Sequence, residues 1–196
     1  IRDSSYNMDK RITTSYKKPN KTITKTFINN ELADSSISYC NPKKGYKKIL
    51  GYNHTDSLYI IIEEYYNDSN KLIKKTSYSK SKEPISQQIY KYDDFGNRIY
   101  KKKEFFKNNF VEETYKIKDT IQNTLSTKNY INGDLIFWSR KHYNERNDRI
   151  LIEFLKPDGS IESKTTFKYK YDKKENWIEK KKFQNNKLMS IIQRHI

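Results

Sequence analysis

An eight-residue segment that recurs along the chain restricts its fold more than any other feature of the sequence. Four copies align without gaps, from Tyr66 to Ile73, Tyr92 to Ile99, Tyr143 to Ile150 and Tyr171 to Ile178. The first residue is always Tyr, the second Asn or Asp and the eighth Ile. The fifth is Asn70, Gly96, Asn147 or Glu175. Asn or Asp at the second position can start a turn by bonding to the backbone, and Gly or Asn at the fifth tolerates the positive φ that closes it. The segment therefore predicts a turn between two strands.

Weaker copies of the segment fall where a regular repeat requires them. They begin at residues 16, 40 and 118, so that the seven copies start 24 to 28 residues apart. A second series of turn signals lies midway between the copies, at Asn29-Asn30, Asn108-Asn109, Asn132-Gly133, Asp158-Gly159 and Asn185-Asn186. Asn-Gly and Asp-Gly favour type I′ hairpins, in which both central residues have positive φ. Each repeat is therefore predicted to be two antiparallel strands with one turn at each end.

These patterns predict an all-β fold, an elongated antiparallel meander of about fourteen strands built from seven two-strand repeats of about 26 residues. Residues 12–196 are predicted to form a single β-repeat domain, preceded by a polar N-terminal arm at residues 1–11. In the segment Phe167–Tyr171, three aromatic residues alternate with two lysines, as in a strand with one covered face. The residues assigned to the structural turn motif are Tyr66, Asn70, Tyr92, Gly96, Asn97, Tyr143, Asn147, Tyr171 and Asn176.

The two most regular copies resemble a known repeat. Tyr92-Asp-x-x-Gly-Asn-x-Ile99 and Tyr171-Asp-x-x-x-Asn-Trp-Ile178 are similar to the YD repeats of Rhs-type bacterial surface and secreted proteins. The resemblance implies a short β-repeat protein of the cell envelope of a Gram-negative bacterium, in the periplasm or at the outer-membrane surface. It also implies that any membrane association is through a lipid anchor that was removed or precedes this sequence.

The charge of the chain is strongly positive, with 40 Lys and Arg against 24 Asp and Glu. A solvated basic surface and a site for an anionic partner both explain such an excess. Two lysine runs, Lys101-Lys102-Lys103 and Lys180-Lys181-Lys182, each follow a turn motif. Aromatic residues accompany both runs, so these positions are the candidate partner-binding residues: Lys101, Lys102, Lys103, Lys180, Lys181, Lys182, Tyr100, Phe105, Trp177 and Phe183.

Residues that could carry catalysis are scattered. His54, His142 and His195 fall in different repeats, and Cys40 is the single cysteine. No nucleotide-binding or nucleophile motif is present in the sequence. The chain is therefore predicted not to be an enzyme, with no catalytic residue, no cofactor and no metal site.

The sequence thus favours a non-enzymatic binding or scaffold protein of the cell envelope, which uses a long β-sheet surface to bind a protein partner. Two alternatives remain open at this stage. One is a cytosolic immunity-type protein that caps an acidic effector. The other is a β-sheet protein that binds nucleic acid or another polyanion, which would bind less tightly as the salt concentration rises.

Overall fold

Fifteen β-strands make up almost all of the structure. The computed structural model describes residues 11–194. The strands are β1 (Arg11–Lys18), β2 (Lys21–Ile28), β3 (Glu31–Asn41), β4 (Tyr46–Asn53), β5 (Leu58–Tyr66), β6 (Leu72–Ser79), β7 (Pro84–Tyr92), β8 (Arg98–Phe105), β9 (Phe110–Asp119), β10 (Thr124–Ile131), β11 (Asp134–Tyr143), β12 (Arg149–Leu155), β13 (Ile161–Tyr171), β14 (Trp177–Gln184) and β15 (Lys187–Gln193). The one helical segment within residues 11–194 is a 3-10 helix at Pro42–Lys44.

The strands form one antiparallel sheet in which their order follows the order of the chain, so that β1 and β15 are its edges. This confirms the predicted all-β class and the meander. Seven motif turns at one end of the strands and seven hairpin turns at the other end connect fifteen strands. The number predicted from the sequence is about fourteen, with two strands in each of seven repeats. The predicted N-terminal arm lies outside the described residues, except for Arg11, where β1 begins.

The four regular motif copies adopt the same hydrogen-bonded turn. In each copy the fifth residue has positive φ, and its N–H donates to the carbonyl of the second residue. The side-chain oxygen of the second residue also accepts the N–H of the sixth, as in Asp93 with Asn97 (2.7 Å) and Asn144 with Asp148 (2.8 Å). Glu175 takes the same conformation (φ 64°), although left-handed backbone is unfavourable for a residue with a Cβ. The positive φ predicted for the fifth position is therefore confirmed. The second residue does start the turn, but in all four copies its side chain bonds the backbone four residues on and not only two, as its residue type predicts.

The turns at the other ends of the strands match the prediction in part. Both central residues have positive φ at Asn29-Asn30, Asn132-Gly133 and Asn185-Asn186, as type I′ turns require. At residues 158–159 only Gly159 has positive φ, and its N–H donates to the carbonyl of Lys156. The N–H of Lys156 also donates to the carbonyl of Ser160, as the N–H of Asp93 does to the carbonyl of Asn97 in a motif turn. That connection is therefore a longer loop of the motif type. The type I′ prediction is therefore wrong for Asp158-Gly159. It is also wrong for Asn108-Asn109, where only Asn109 has positive φ.

The described residues group into two compact units. The first comprises residues 11–90 and 103–110, and the second comprises residues 91–102 and 111–194. Among them, the buried apolar side chains are Ile61 in the first unit and Leu155 and Phe167 in the second. The other buried side chains are polar, among them Thr76 and Ser139. Because so few apolar side chains are buried, the turns and polar contacts are expected to contribute to the stability of these strands.

A carboxylate surrounded by tyrosines shows how polar groups replace an apolar core in the first unit. Glu63 accepts hydrogen bonds from the hydroxyls of Tyr46 (3.1 Å), Tyr65 (3.3 Å) and Tyr78 (3.4 Å). The rings of Tyr46 and Tyr65 pack with their centroids 5.2 Å apart. Burial, followed by the hydrogen bond to Glu63, raises the pKa of Tyr46 to about 12. The neutral phenol is therefore the form that the fold stabilises.

Gly45 is expected to be the least replaceable glycine of the first unit. It has positive φ (54°), and a Cβ added there would overlap the carbonyl oxygen of Tyr66. Gly133 is the matched control, because it also has positive φ but has nothing within 4 Å of an added Cβ. We expect Gly133→Ala to cost about 1 kcal/mol through backbone strain and Gly45→Ala to cost clearly more. Urea unfolding followed by circular dichroism measures both, and equal losses would contradict the close contact.

The raised pKa of Tyr46 predicts a loss of stability at alkaline pH. The folded pKa lies above the unfolded value of 10.0, so the contribution of the neutral phenol is complete below pH 10. It is lost as the pH rises from 10 to about 12. The urea midpoint should therefore fall less steeply over this range in Tyr46→Phe than in the wild type. Tyr16→Phe is the control, since Tyr16 is 60% exposed, and it should keep the wild-type slope.

Candidate binding face

The second lysine run is divided between the two faces of the sheet. Residues of β14 alternate, and the register pairs Lys182 with Phe167 and Lys180 with Tyr169, whereas Lys181 pairs with Lys168. Lys180 and Lys182 therefore share one face, which we call the front face of the second unit. Lys181 lies on the opposite, back face, where its ammonium group is 3.4 Å from Glu179. The three consecutive lysines thus do not form one patch.

The two lysine runs also lie far apart. Lys101 and Lys102 are on β8 in the second unit, and five strands separate β8 from β14 in the sheet. At about 4.8 Å between strands, six spacings correspond to about 29 Å. Lys103 and Phe105 belong to the first unit, where the ammonium group of Lys103 is 4.1 Å from the Phe105 ring centroid.

Two of the predicted aromatic residues belong to the back face instead. Tyr100 donates to Glu113 (2.6 Å) and packs against Tyr115, with the ring centroids 4.9 Å apart. Phe183 lies beside Lys168, whose ammonium group is 5.5 Å from the ring centroid. The candidates that the structure places together on one face are therefore Trp177, Lys180 and Lys182.

Around these three residues the front face carries a cluster of cations on aromatic rings, which we call the cation–aromatic cluster. Arg194 lies 3.3 Å from the ring centroid of Trp177, and Arg149 lies 4.9 Å from that of Phe167. Lys180 lies 5.0 Å from the centroid of Phe167 and 5.5 Å from that of Tyr169. The remaining members are Tyr171 and Arg146, whose guanidinium carbon lies 4.6 Å from the ring centroid of Tyr171. Such contacts are attractive because the ring face carries partial negative charge.

The positive charge of this cluster is only partly compensated. Arg146 forms an exposed ion pair with Glu175 (3.0 Å), and the hydroxyl of Tyr171 donates to Asp148 (2.8 Å). Arg149, Lys180 and Arg194 form no ion pair with a carboxylate among residues 11–194. The Nε atom of Arg149 is also buried without a hydrogen-bond partner in the described structure. The cluster therefore presents net positive charge to whatever contacts the front face.

Both tyrosines of the cluster have a pKa above the ordinary value. Burial is the largest cause of the raised pKa of both Tyr169 and Tyr171. The second cause is Asp148 in each case, through its charge at Tyr169 and through a hydrogen bond from Tyr171. Both hydroxyls therefore remain neutral donors near neutral pH, and Tyr169 donates to the carbonyl oxygen of Arg149 (3.0 Å).

A cleft of about 500 Å³ opens on the front face between three successive motif turns of the second unit. Tyr92 and Tyr143, the first residues of two regular copies, are among its lining residues, as are Ile99 and Leu125. The remaining lining residues are Asp93, Asn97, Arg98, Lys116, Lys118, Thr124 and Asn147. The intervening turn is tied to the next one by Asn123, whose side-chain amide donates to the carbonyl oxygens of residues 143 and 144 (3.2 and 3.0 Å).

Several residues of the face were not among the sequence-based candidates. Arg146 and Arg149 lie within a motif copy that was interpreted only as a turn, and Lys116 and Lys118 are not part of a lysine run. The alternation of Phe167 and Tyr169 with lysines did indicate which face is covered. The identity of their cationic neighbours depends on strand register, and no single-strand pattern contains it.

Residues 11–194 contain neither a cluster of potential metal ligands nor a helix that could cross a membrane. No three or more His, Cys, Asp or Glu side chains are grouped in a way that could hold a metal ion. The side chain of His142 pairs with Glu153 at 2.9 Å. No helix in the described part of the chain is long and apolar enough to cross a membrane.

Comparisons with known proteins add little to this description. No family model matches the chain, and no curated protein matches it. It is similar to the crystal structure of a porin-like protein from Bacteroides uniformis, with 8% identity, a TM-score of 0.45 and 91% of each chain covered. It is also similar to TcdB2-TccC3 without its hypervariable C-terminal region, with 15% identity and a TM-score of 0.39, covering 84% of this chain and 9% of that chain. Both TM-scores are below 0.5, so neither likeness indicates a function for this chain.

Proposed function

We propose that this chain is a non-enzymatic binding protein of the bacterial cell envelope, and that its front face binds a protein partner with an acidic surface. The observation that carries the proposal is the cation–aromatic cluster. Arginine and large aromatic residues are the types that dominate the energetic centre of protein interfaces, and they are concentrated here on one face. The uncompensated charge of Arg149, Lys180 and Arg194 favours a partner that supplies carboxylates.

The contacts within the cluster favour a protein over a nucleic acid as the partner. Single-stranded nucleic acids bind to open aromatic faces on which bases stack. Here Arg194 covers the ring of Trp177 at 3.3 Å, and Arg149 and Lys180 lie over that of Phe167, which is 7% exposed. A base would have to displace these cations, whereas a carboxylate can bind them where they lie.

The envelope part of the proposal is supported by the sequence resemblance to YD repeats. The shared turn geometry of the four regular copies is consistent with it, because each conserves the bonds made by the second and fifth residues. A cytosolic protein that caps an acidic effector would use the same face. The location in the cell therefore has to be tested separately from binding.

Binding by the front face is tested with two variants of equal charge. The triple variant Lys180→Gln, Lys182→Gln, Arg194→Gln removes three front-face charges, and Lys164→Gln, Lys168→Gln, Lys170→Gln removes three from the back face of β13. Binding is measured by chemical cross-linking in the native host, read by mass spectrometry. The yield of cross-linked acidic partner should fall at least about tenfold in the first variant. The second should stay within about twofold of the wild type. Equal losses would contradict a specific face, and a cross-linked species that nuclease removes would contradict a protein partner.

Fractionation of the native host tests the location. Blotting of cytosolic, periplasmic and membrane fractions for the full-length protein should recover most of it with the envelope fractions. A cytosolic marker and a periplasmic marker, blotted on the same fractions, control for leakage. Recovery with the cytosolic marker would contradict the envelope assignment and would leave the effector-capping alternative, while the front-face variants would still test binding.

A further inference from the structure

We propose that the cleft of the second unit is a binding site for a small organic anion that has an apolar or aromatic body. This inference goes beyond the proposed partner-binding role and depends on different residues. The volume of the cleft, about 500 Å³, lies within the usual range for small-molecule sites, which is roughly 300–1,000 Å³. The structure further indicates why the cleft exists and which charges it offers.

The cleft lies where the repeat loses its tyrosine. The first motif position is Tyr92 in the copy on one side and Tyr143 in the copy on the other, but it is Lys118 in the copy between them. All three residues line the cleft. The eighth position keeps its apolar character in all three copies, with Leu125 in the middle copy. The middle copy therefore has the ammonium group of Lys118 where the copies on either side have the ring of a tyrosine.

The charges in the cleft favour an anion. Lys116 and Lys118 are two residues apart on β9 and therefore point to the same face. Neither forms an ion pair with a carboxylate among residues 11–194. Among the described lining residues, the only carboxylate is that of Asp93, which already accepts hydrogen bonds from the backbone (2.7 Å) and side-chain (3.0 Å) N–H groups of Asn97. The two ammonium groups are thus available to a ligand.

The walls of the cleft favour a ligand that has an apolar body as well as a negative charge. Tyr92, Tyr143, Ile99 and Leu125 supply rings and aliphatic groups beside the lysines. A bare inorganic anion would leave this apolar surface uncovered, and a neutral apolar molecule would leave the ammonium groups without a partner. An anionic group attached to a flat or apolar body satisfies both, whether it is a carboxylate or a phosphate ester.

Calorimetry with three probes of the intact chain tests this chemistry. 2-Naphthoate carries a carboxylate on an aromatic body, 2-naphthol carries the same body without the charge, and inorganic phosphate carries charge without a body. We expect one 2-naphthoate to bind per chain, with the other two probes at least about tenfold weaker. Phosphate binding as tightly as 2-naphthoate would overturn the requirement for an apolar body. Absence of 2-naphthoate binding would overturn the site.

Variants at Lys118 separate the site from the rest of the molecule. Lys118→Tyr restores the repeat residue and fills the cleft, so it should abolish 2-naphthoate binding while the urea midpoint stays equal or rises. The double variant Lys116→Gln, Lys118→Gln keeps the space but removes both ammonium groups, so its affinity for 2-naphthoate should fall at least about tenfold.

The control for net charge is Lys164→Gln, Lys168→Gln, in which two back-face lysines of β13 are removed. It should bind 2-naphthoate as the wild type does. Unchanged binding by a folded Lys118→Tyr chain would overturn the assignment of the ligand to this cleft. An equal loss in the control and in the Lys116, Lys118 variant would overturn a role for these two lysines beyond the overall charge.

Discussion

The positive φ at the fifth residue of the four regular motif turns is the constraint on which the rest of the fold depends. It closes a loop in which two hydrogen bonds join the second residue to the sixth. The backbone N–H of the second residue donates to the carbonyl of the sixth, and its side-chain oxygen accepts the N–H of the sixth. That loop fixes which residues of the two flanking strands lie opposite each other, and a shift of one residue would move every side chain to the other face. In this sheet such a shift would scatter the cations and rings of the front face. The turns therefore determine the binding chemistry as well as the fold.

The scarcity of apolar burial explains the unusual contacts between the strands. Ile61, Leu155 and Phe167 are the apolar side chains buried below a tenth of their surface among the described residues. Threonines and serines, hydroxyls donated to Glu63, and cations over rings occupy places where other β-proteins bury leucine or valine. A lysine stem or a tyrosine ring covers apolar area while its polar end stays in water. A face stabilised in this way is also chemically suited to binding, because its polar ends remain exposed to a partner.

Most of the fold was predictable from the sequence because its determinants are local. The residues Asn70, Gly96 and Asn147 indicate positive φ by their type alone, and the period places the turns. The turn that contains Asn53, Asp56 and Ser57 has the same hydrogen bonds but was missed, because its eighth residue is Tyr instead of Ile and it lies out of phase with the seven copies. The lysine runs were misleading as patches, since neighbours in sequence alternate between faces in a strand. The partners of Arg149 and Arg194 depend on the register of separate strands, which residue type does not reveal.

The cleft shows why an irregular repeat can be more informative than a regular one. A perfect array would repeat the same Tyr at every second strand and would place a ring at the position that Lys118 occupies here. Lys118 takes the place of that ring between Tyr92 and Tyr143, and nothing in the turn chemistry requires the change. Departures from local consistency that reduce stability are expected where a protein binds or reacts. The degenerate copy at 118–125 is therefore better understood as a site that the repeat accommodates than as a decayed copy of it.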